Sequence, residues 1–166
     1  MTILAIDPGC DQSAFVIWDG SNILRHGKLD NKTILDEIVT LQLNADKMIV
    51  EQIASFGMPV GKEVFETVFW SGRFCEAFNT LGKPFDRIPR MDVKMHLCHS
   101  SRATDANIRQ ALIDRWGGSA AIKAYRKANP KKGEIERPQG SLYGITDDQW
   151  AALGVAVTFT DTRERQ

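Results

Sequence analysis

A chain of 166 residues is long enough for one well-buried domain and short for two. Its apolar fraction of 43% and charged fraction of 25% are those of an ordinary globular protein, and no apolar run approaches the ~20 residues of a membrane-spanning helix. The formal net charge of zero hides an uneven distribution: residues 1–82 carry 6 Lys and Arg against 11 Asp and Glu, residues 83–137 carry 13 against 6, and residues 138–166 carry 2 against 4. The basic middle suits a phosphate backbone as partner, and it suits the solvated face of a helix as well. Met1-Thr2-Ile3-Leu4 lacks the basic segment of a signal peptide and reads as a first strand. Cys10, Cys75 and Cys98 show no paired spacing, which fits a reducing, cytoplasmic setting without a disulfide framework.

In chain order, strands are expected over 2–7, 13–18 and 22–28, with Asp19-Gly20-Ser21-Asn22 as a tight hairpin between the last two. Residues 32–43 have a helical stripe of Ile34, Leu35, Ile38 and Leu41 or Leu43. A fourth strand covers 47–51. The long helix expected over 60–81 has apolar residues on more than one stripe, among them Val64, Phe65, Val68, Phe69, Trp70, Phe74 and Phe78. Its second apolar side predicts a homodimer, or packing within the chain against the helices near 104–116 and 148–158. A fifth strand covers 85–88, followed by helices over 91–98 and 102–116, the latter stopped by Gly117-Gly118. A short basic helix is expected over 119–128, a loop over 129–140, and a last helix over 147–159 with a polar tail behind it. Three antiparallel strands followed by alternating helices and strands predict an α/β fold with a mixed five-stranded sheet and helices on both faces.

Three carboxylates close ordered elements in this scheme. Asp7 ends the first strand ahead of Pro8-Gly9, Glu51 ends Met48-Ile49-Val50, and Asp147-Asp148 precedes the apolar stretch 150–157. A carboxylate at the end of a buried strand is costly without a partner, and converging carboxylates usually share a divalent cation. The pattern points to a Mg²⁺ site for phosphoryl chemistry. For Asp7 alone, a turn-capping role is equally consistent.

Ile6-Asp7-Pro8-Gly9, Val50-Glu51-Gln52-Ile53 and the run 148–156, Asp-Gln-Trp-Ala-Ala-Leu-Gly-Val-Ala, resemble RuvC-type Holliday junction resolvases of the RNase H-like superfamily in order and spacing. The likeness runs over nearly the whole chain and includes Val93-Lys94 and the helix 107–112. The chain looks most like phage-encoded RuvC-like proteins, which often carry a segment such as Leu142-Tyr143-Gly144 before the last helix. The resemblance implies an RNase H-like nuclease domain over 1–160 with a polar tail over 161–166. It implies two Mg²⁺ ions, replaceable by Mn²⁺. Asp7 would hold both, Glu51 would hold one and position the attacking water, and Asp148 would ligate the other near the leaving oxygen. It implies paired nicks in branched DNA leaving 5′ phosphate and 3′ hydroxyl ends, made by a homodimer.

The chain departs from that pattern in two places. The second acidic or His position at the start of the last helix falls at Ala151, with Asp147 the nearest replacement, about 100° away if the helix has begun. Lys94 matches a lysine near the scissile phosphate, but the position of a second such lysine is taken by Asp105, leaving Arg102 as a substitute. Phe56, after Glu51, corresponds to an aromatic that wedges between junction bases, and a core Phe is the alternative. Lys123, Arg126, Lys127, Lys131, Lys132 and Arg137 read as contacts to a DNA arm or as a solvated loop. His96, Cys98 and His99 cannot close a zinc site unaided and read as structural. Two alternatives to a junction resolvase are an RNase H-like nuclease on RNA–DNA hybrids or other branches, and a non-catalytic junction-binding protein, the latter suggested by Ala151.

Overall fold

Strand alternation decides which helices cover which side of the sheet. In the computed structural model, which describes residues 1–55, 57, 59–124 and 139–163, strands β1 (Ile3–Asp7), β2 (Gln12–Trp18) and β3 (Ile23–Asp30) form an antiparallel meander. Helix α1 (Asn31–Val39) then leads to β4 (Lys47–Gln52), helix α2 (Lys62–Thr80) and β5 (Phe85–Pro89), and β4 and β5 pair in parallel. Helices α3 (Arg90–Cys98) and α4 (Asp105–Arg115), a 3₁₀ turn (Gly118–Ala120) and α5 (Gln149–Arg163) complete the chain. The sheet order is β3-β2-β1-β4-β5, with β1 and β4 parallel at its centre. This is the mixed five-stranded sheet with helices on both faces that the sequence predicts.

Alternate residues of the strands feed two cores. Leu4, Ile6, Phe15, Ile17, Met48 and Val50 pack against Ile34 and Ile38 of α1 and Phe74, Cys75 and Phe78 of α2. Ile3, Ala5, Ala14, Val16 and Ile49 point the other way, onto Val93 of α3, Ile108 and Leu112 of α4 and the apolar length of α5. Gly154 lets α5 approach closely: a Cβ there would lie 3.2 Å from Val93 and 3.4 Å from Ile108. The two faces together bury the whole of Met48-Ile49-Val50, so β4 reads as continuously apolar, as a central parallel strand does.

Several boundaries differ from the sequence reading, each for a local reason. Helix α1 stops at Val39 because Leu41 takes a left-handed φ of 60°, so Leu41 is exposed while Leu43 is buried beyond the helix. Helix α4 starts at Asp105 rather than 102, because Thr104 caps it through a reciprocal pair of bonds with Asn107. The described part of the basic segment 119–128 is a 3₁₀ turn and a further turn rather than a helix, since Gly117 and Gly118 both take positive φ and reverse the chain. Helix α5 starts at Gln149, after Asp147 adopts a φ of 43°, and runs to Arg163, into the stretch read as tail. Helix α2 lies on the opposite side of the sheet from α4 and α5, so they do not cover its second apolar side. Phe65 and Phe69 there are 64% and 58% exposed.

Candidate active site

The parallel register of β1 and β4 sets Ile6 beside Val50, so Asp7 and Glu51 emerge together at the carboxyl end of the sheet. Alternation puts Asp7 in phase with Ile3 and Ala5, and Glu51 in phase with Ile49, on the side covered by α3, α4 and α5. The start of α5 brings Asp148 to the same end. The sequence reading expects these three carboxylates to converge; the fold sets Asp7 and Glu51 at adjacent strand ends and Asp7 and Asp148 on one cavity wall.

The turn after Asp7 is fixed by packing and hydrogen bonds. A Cβ on Gly9 would lie 2.2 Å from the Gln12 carbonyl oxygen, so only glycine fits. The Gly9 N–H donates to Ser13 Oγ at 3.1 Å, and Asn31 Nδ2 donates to the Gly9 carbonyl at 2.9 Å. Ser13 Oγ in turn donates to Asn31 Oδ1 at 2.5 Å, and both side chains are buried. The beginning of α5 is held similarly: Gln149 bonds His26 Nδ1 on β3 at 2.7 Å and donates to Thr146 Oγ1 at 3.3 Å.

The electrostatics at this end are unbalanced. Burial, above all, pushes the Asp7 carboxyl well above its ordinary range, and the neighbouring charges of Glu51 and Asp148 push it further, while Arg90 pulls it down. Glu51 is only 3% exposed. Arg90 Nη1 donates to both its oxygens, at 2.7 and 3.0 Å, while Nη2 reaches Asp105 Oδ1. Burial disfavours the guanidinium charge, and Glu51 and Asp105 more than offset that, raising its pKa. Lys28 Nζ lies 2.6 Å from Asp148 Oδ2, and that hydrogen bond raises the lysine's pKa.

A cavity of about 700 Å³ is lined by Asp7, Arg90, Asp105, Arg109, Asp147 and Asp148, among others, with Glu51 behind Arg90 and outside the lining. Asp147 lies in the turn before α5 and does border the cavity, which answers the doubt about its helical phase. Ala151 forms part of the same wall. Asp105, the first residue of α4, lines the cavity as well. Arg109 lies over the Trp150 ring, 5.3 Å from its centre.

Other candidates fall elsewhere. Lys94 is half-buried on α3, one turn beyond Arg90, and is not among the cavity's lining residues. Arg102 is exposed in the turn before α4, and Lys123 is exposed after the 3₁₀ turn. Phe56, Arg126, Lys127, Lys131, Lys132 and Arg137 lie outside the described residues. His96 bonds Asp161 through Nε2 at 2.7 Å, consistent with its structural reading. Sequence reasoning missed Arg90, Lys28 and the partnership of Asp105. Arg90 follows Ile88, the parallel partner of Glu51, by two residues, a placement that only the pairing of β4 with β5 reveals.

Among the described residues, no three His, Cys, Asp or Glu side chains stand at metal-ligand spacing. Arg90 sits on Glu51 and Lys28 on Asp148 instead. The donor set nevertheless fits Mg²⁺, which takes oxygen ligands, needs only one or two carboxylates and keeps several waters. Asp7, Asp147, Asp148 and Asp105 all line one cavity, and this gathering of carboxylates is the observation that favours a cation there.

No protein-family model and no curated protein sequence matches this chain. Among solved structures, the chain is similar over 99% of its length to Thermus thermophilus RuvC, with a TM-score of 0.66, 15% identity and 97% of that chain covered. The same protein in complex with a Holliday junction substrate gives a TM-score of 0.67 at 17% identity, with 99% and 96% of the two chains covered. The yeast mitochondrial Holliday junction resolvase gives 0.53 at 11% identity, over 98% of this chain and 79% of that one. The likeness spans the whole sheet and its helices, and the chain has the RNase H-like fold found in RuvC-type Holliday junction resolvases.

Proposed function

We propose that this chain is a metal-dependent endonuclease that resolves four-way DNA junctions by paired nicks. One observation carries the reading: Asp7 and Glu51 lie at the ends of adjacent parallel strands, and Asp7 lines a cavity together with Asp148, Asp147 and Asp105. The full-length likeness of fold to a RuvC bound to a Holliday junction supports the choice of substrate.

Asp7, Glu51 and Asp148 would hold Mg²⁺ or Mn²⁺, two ions per site, with Asp147 in reserve at the cavity wall. Bound metal supplies an attacking water ionised at neutral pH and offsets charge on the departing 3′ oxygen. Glu51, anchored in the central strand, orients that water. Lys94, Arg102 and Lys123 belong to the α3–α4 side of the sheet, where they receive the phosphate backbone. Arg126, Lys127, Lys131, Lys132 and Arg137 extend this basic run in sequence, and Phe56 stacks on unpaired bases. The products carry 5′ phosphates and 3′ hydroxyls.

Cutting two strands symmetrically calls for a two-fold dimer. Phe65, Val68 and Phe69, spaced as one helical stripe and exposed on α2, offer its surface. The competing reading, a junction-binding protein without catalysis, draws on Arg90 and Lys28, which already neutralise Glu51 and Asp148.

The test is incubation with Mg²⁺ of a synthetic four-way junction and a matching linear duplex, with Asp7→Asn alongside. Nicks in opposing strands of the junction alone, absent in the variant, are expected. Tight binding without cutting, in Mg²⁺ and in Mn²⁺, would establish the non-catalytic reading.

A further inference from the structure

Arg90 joins two acids of opposite character. It opens α3 directly after β5, and its Nη1 spans both oxygens of Glu51 while Nη2 holds Asp105. The Glu51 side chain is 4% exposed and that of Asp105 is 80% exposed. One guanidinium thus links the buried end of the site to its solvent-facing rim, and both Arg90 and Asp105 line the cavity.

A carboxyl as buried as that of Glu51 stays ionised only beside a counter-charge. Nη1 already covers the oxygens that a metal ion would need, so guanidinium and metal compete for the same carboxylate. Asp105 is a fixed alternative anchor: it is the first residue of α4, where the helix dipole favours a carboxylate, and the Thr104–Asn107 capping box sets its backbone. Releasing Glu51 therefore needs only a pivot about the bond already made to Asp105. The guanidinium fork suits phosphate oxygens as well as it suits carboxylates.

Resting on the nuclease reading above, we propose that Arg90 is a stand-in cation. It neutralises Glu51 while no metal is bound, and it moves onto Asp105 when metal takes Glu51, turning its free edge to a DNA phosphate in the cavity. Arg90 and Asp105 are positioning residues in this scheme. The exchange keeps Glu51 paired throughout and makes metal and DNA binding support one another.

The experiment measures Mn²⁺ binding without DNA, by electron paramagnetic resonance at mildly alkaline pH, for the wild type, Arg90→Ala and Asp105→Asn. Thermal melting with and without Mn²⁺ accompanies it. Arg90→Ala is expected to bind Mn²⁺ about tenfold more tightly, the scale of removing one competing charge-assisted contact. Its melting temperature falls without metal and recovers when Mn²⁺ is added. Asp105→Asn binds Mn²⁺ more weakly, because Arg90 loses its alternative partner. Equal or weaker Mn²⁺ binding by Arg90→Ala would overturn the proposal. Arg90→Lys, which keeps the charge but loses the fork, serves if the alanine variant fails to fold: binding tighter than wild type supports the exchange, and unchanged or weaker binding contradicts it. Because no cutting is measured, the exchange can fail in a protein that still resolves junctions. It can equally hold in one that binds Mn²⁺ and cuts no junction.

Discussion

The two ends of α5 each bring a carboxylate against basic side chains, with opposite outcomes. Near its C-terminus, Asp161 receives His96 Nε2 at 2.7 Å and both Arg115 terminal nitrogens at 2.6 and 2.8 Å. Burial raises its pKa, but the bonds from Arg115 and His96 outweigh that and hold it below the usual carboxylate range. At the other end burial drives the Asp7 carboxyl up, Glu51 and Asp148 add to the rise, and Arg90 opposes it without cancelling it. Both clusters tie α5 to its neighbours. The first is satisfied and stabilises the fold. The second holds more acid than its cations offset, an arrangement that stability alone does not favour and that cation chemistry requires.

The comparison breaks most visibly at Asp7. Asp7→Asn is expected to reduce junction cutting to background while leaving the melting temperature equal or higher, since it removes a carboxyl whose ionisation burial, first, and the neighbouring acids disfavour. Gel assays and calorimetry on one preparation check both. At the satisfied end the pattern reverses. Asp161→Asn is expected to cost about 1–2 kcal/mol of stability, the scale of weakened charge-assisted bonds, with cutting unchanged. Urea unfolding read beside the cutting assay decides this, and loss of cutting without loss of stability would contradict it.

Acid separates the clusters by sign. The pKa of Asp161 is lowered on folding, so its stabilising effect is full above the unfolded carboxylate range and is lost as pH falls through the folded value. The pKa of Asp7 is raised, so the folded state holds a proton the unfolded state has released, and stability falls as pH rises from the unfolded carboxylate range through the raised value. Unfolding measured across pH should therefore show Asp7→Asn gaining on the wild type as pH rises, and Asp161→Asn losing less as pH falls. A constant offset at all pH values would contradict the account. The smallest effect is expected from Lys28→Ala, whose partner Asp148 is half exposed. Stability should change by no more than about 0.5 kcal/mol, read by urea unfolding beside the wild type.

The sheet was legible because its cause is local. Period-2 alternation and the continuous apolar run of β4 specify which residues point together, and with them the meeting of Asp7 and Glu51. Asp148 was legible through the apolar helix that follows it. Arg90, Lys28 and Asp105 were not, because a cation's partner is set by which strand ends lie side by side, and composition alone cannot tell a site arginine from a solvated one. Asp105 was read only as the place of a missing lysine, since nothing in its neighbourhood in sequence names Arg90. Helix starts were displaced where one residue's backbone decides them: the cap at Thr104 and the left-handed Asp147.

The central claim, that the crowded carboxylates form a nicking centre, is tested most directly with Glu51→Gln. Junction affinity and strand cleavage would be measured together in Mg²⁺ on end-labelled four-way DNA. The account predicts binding close to that of the wild type and no cut strands. Cleavage at the wild-type rate would contradict it.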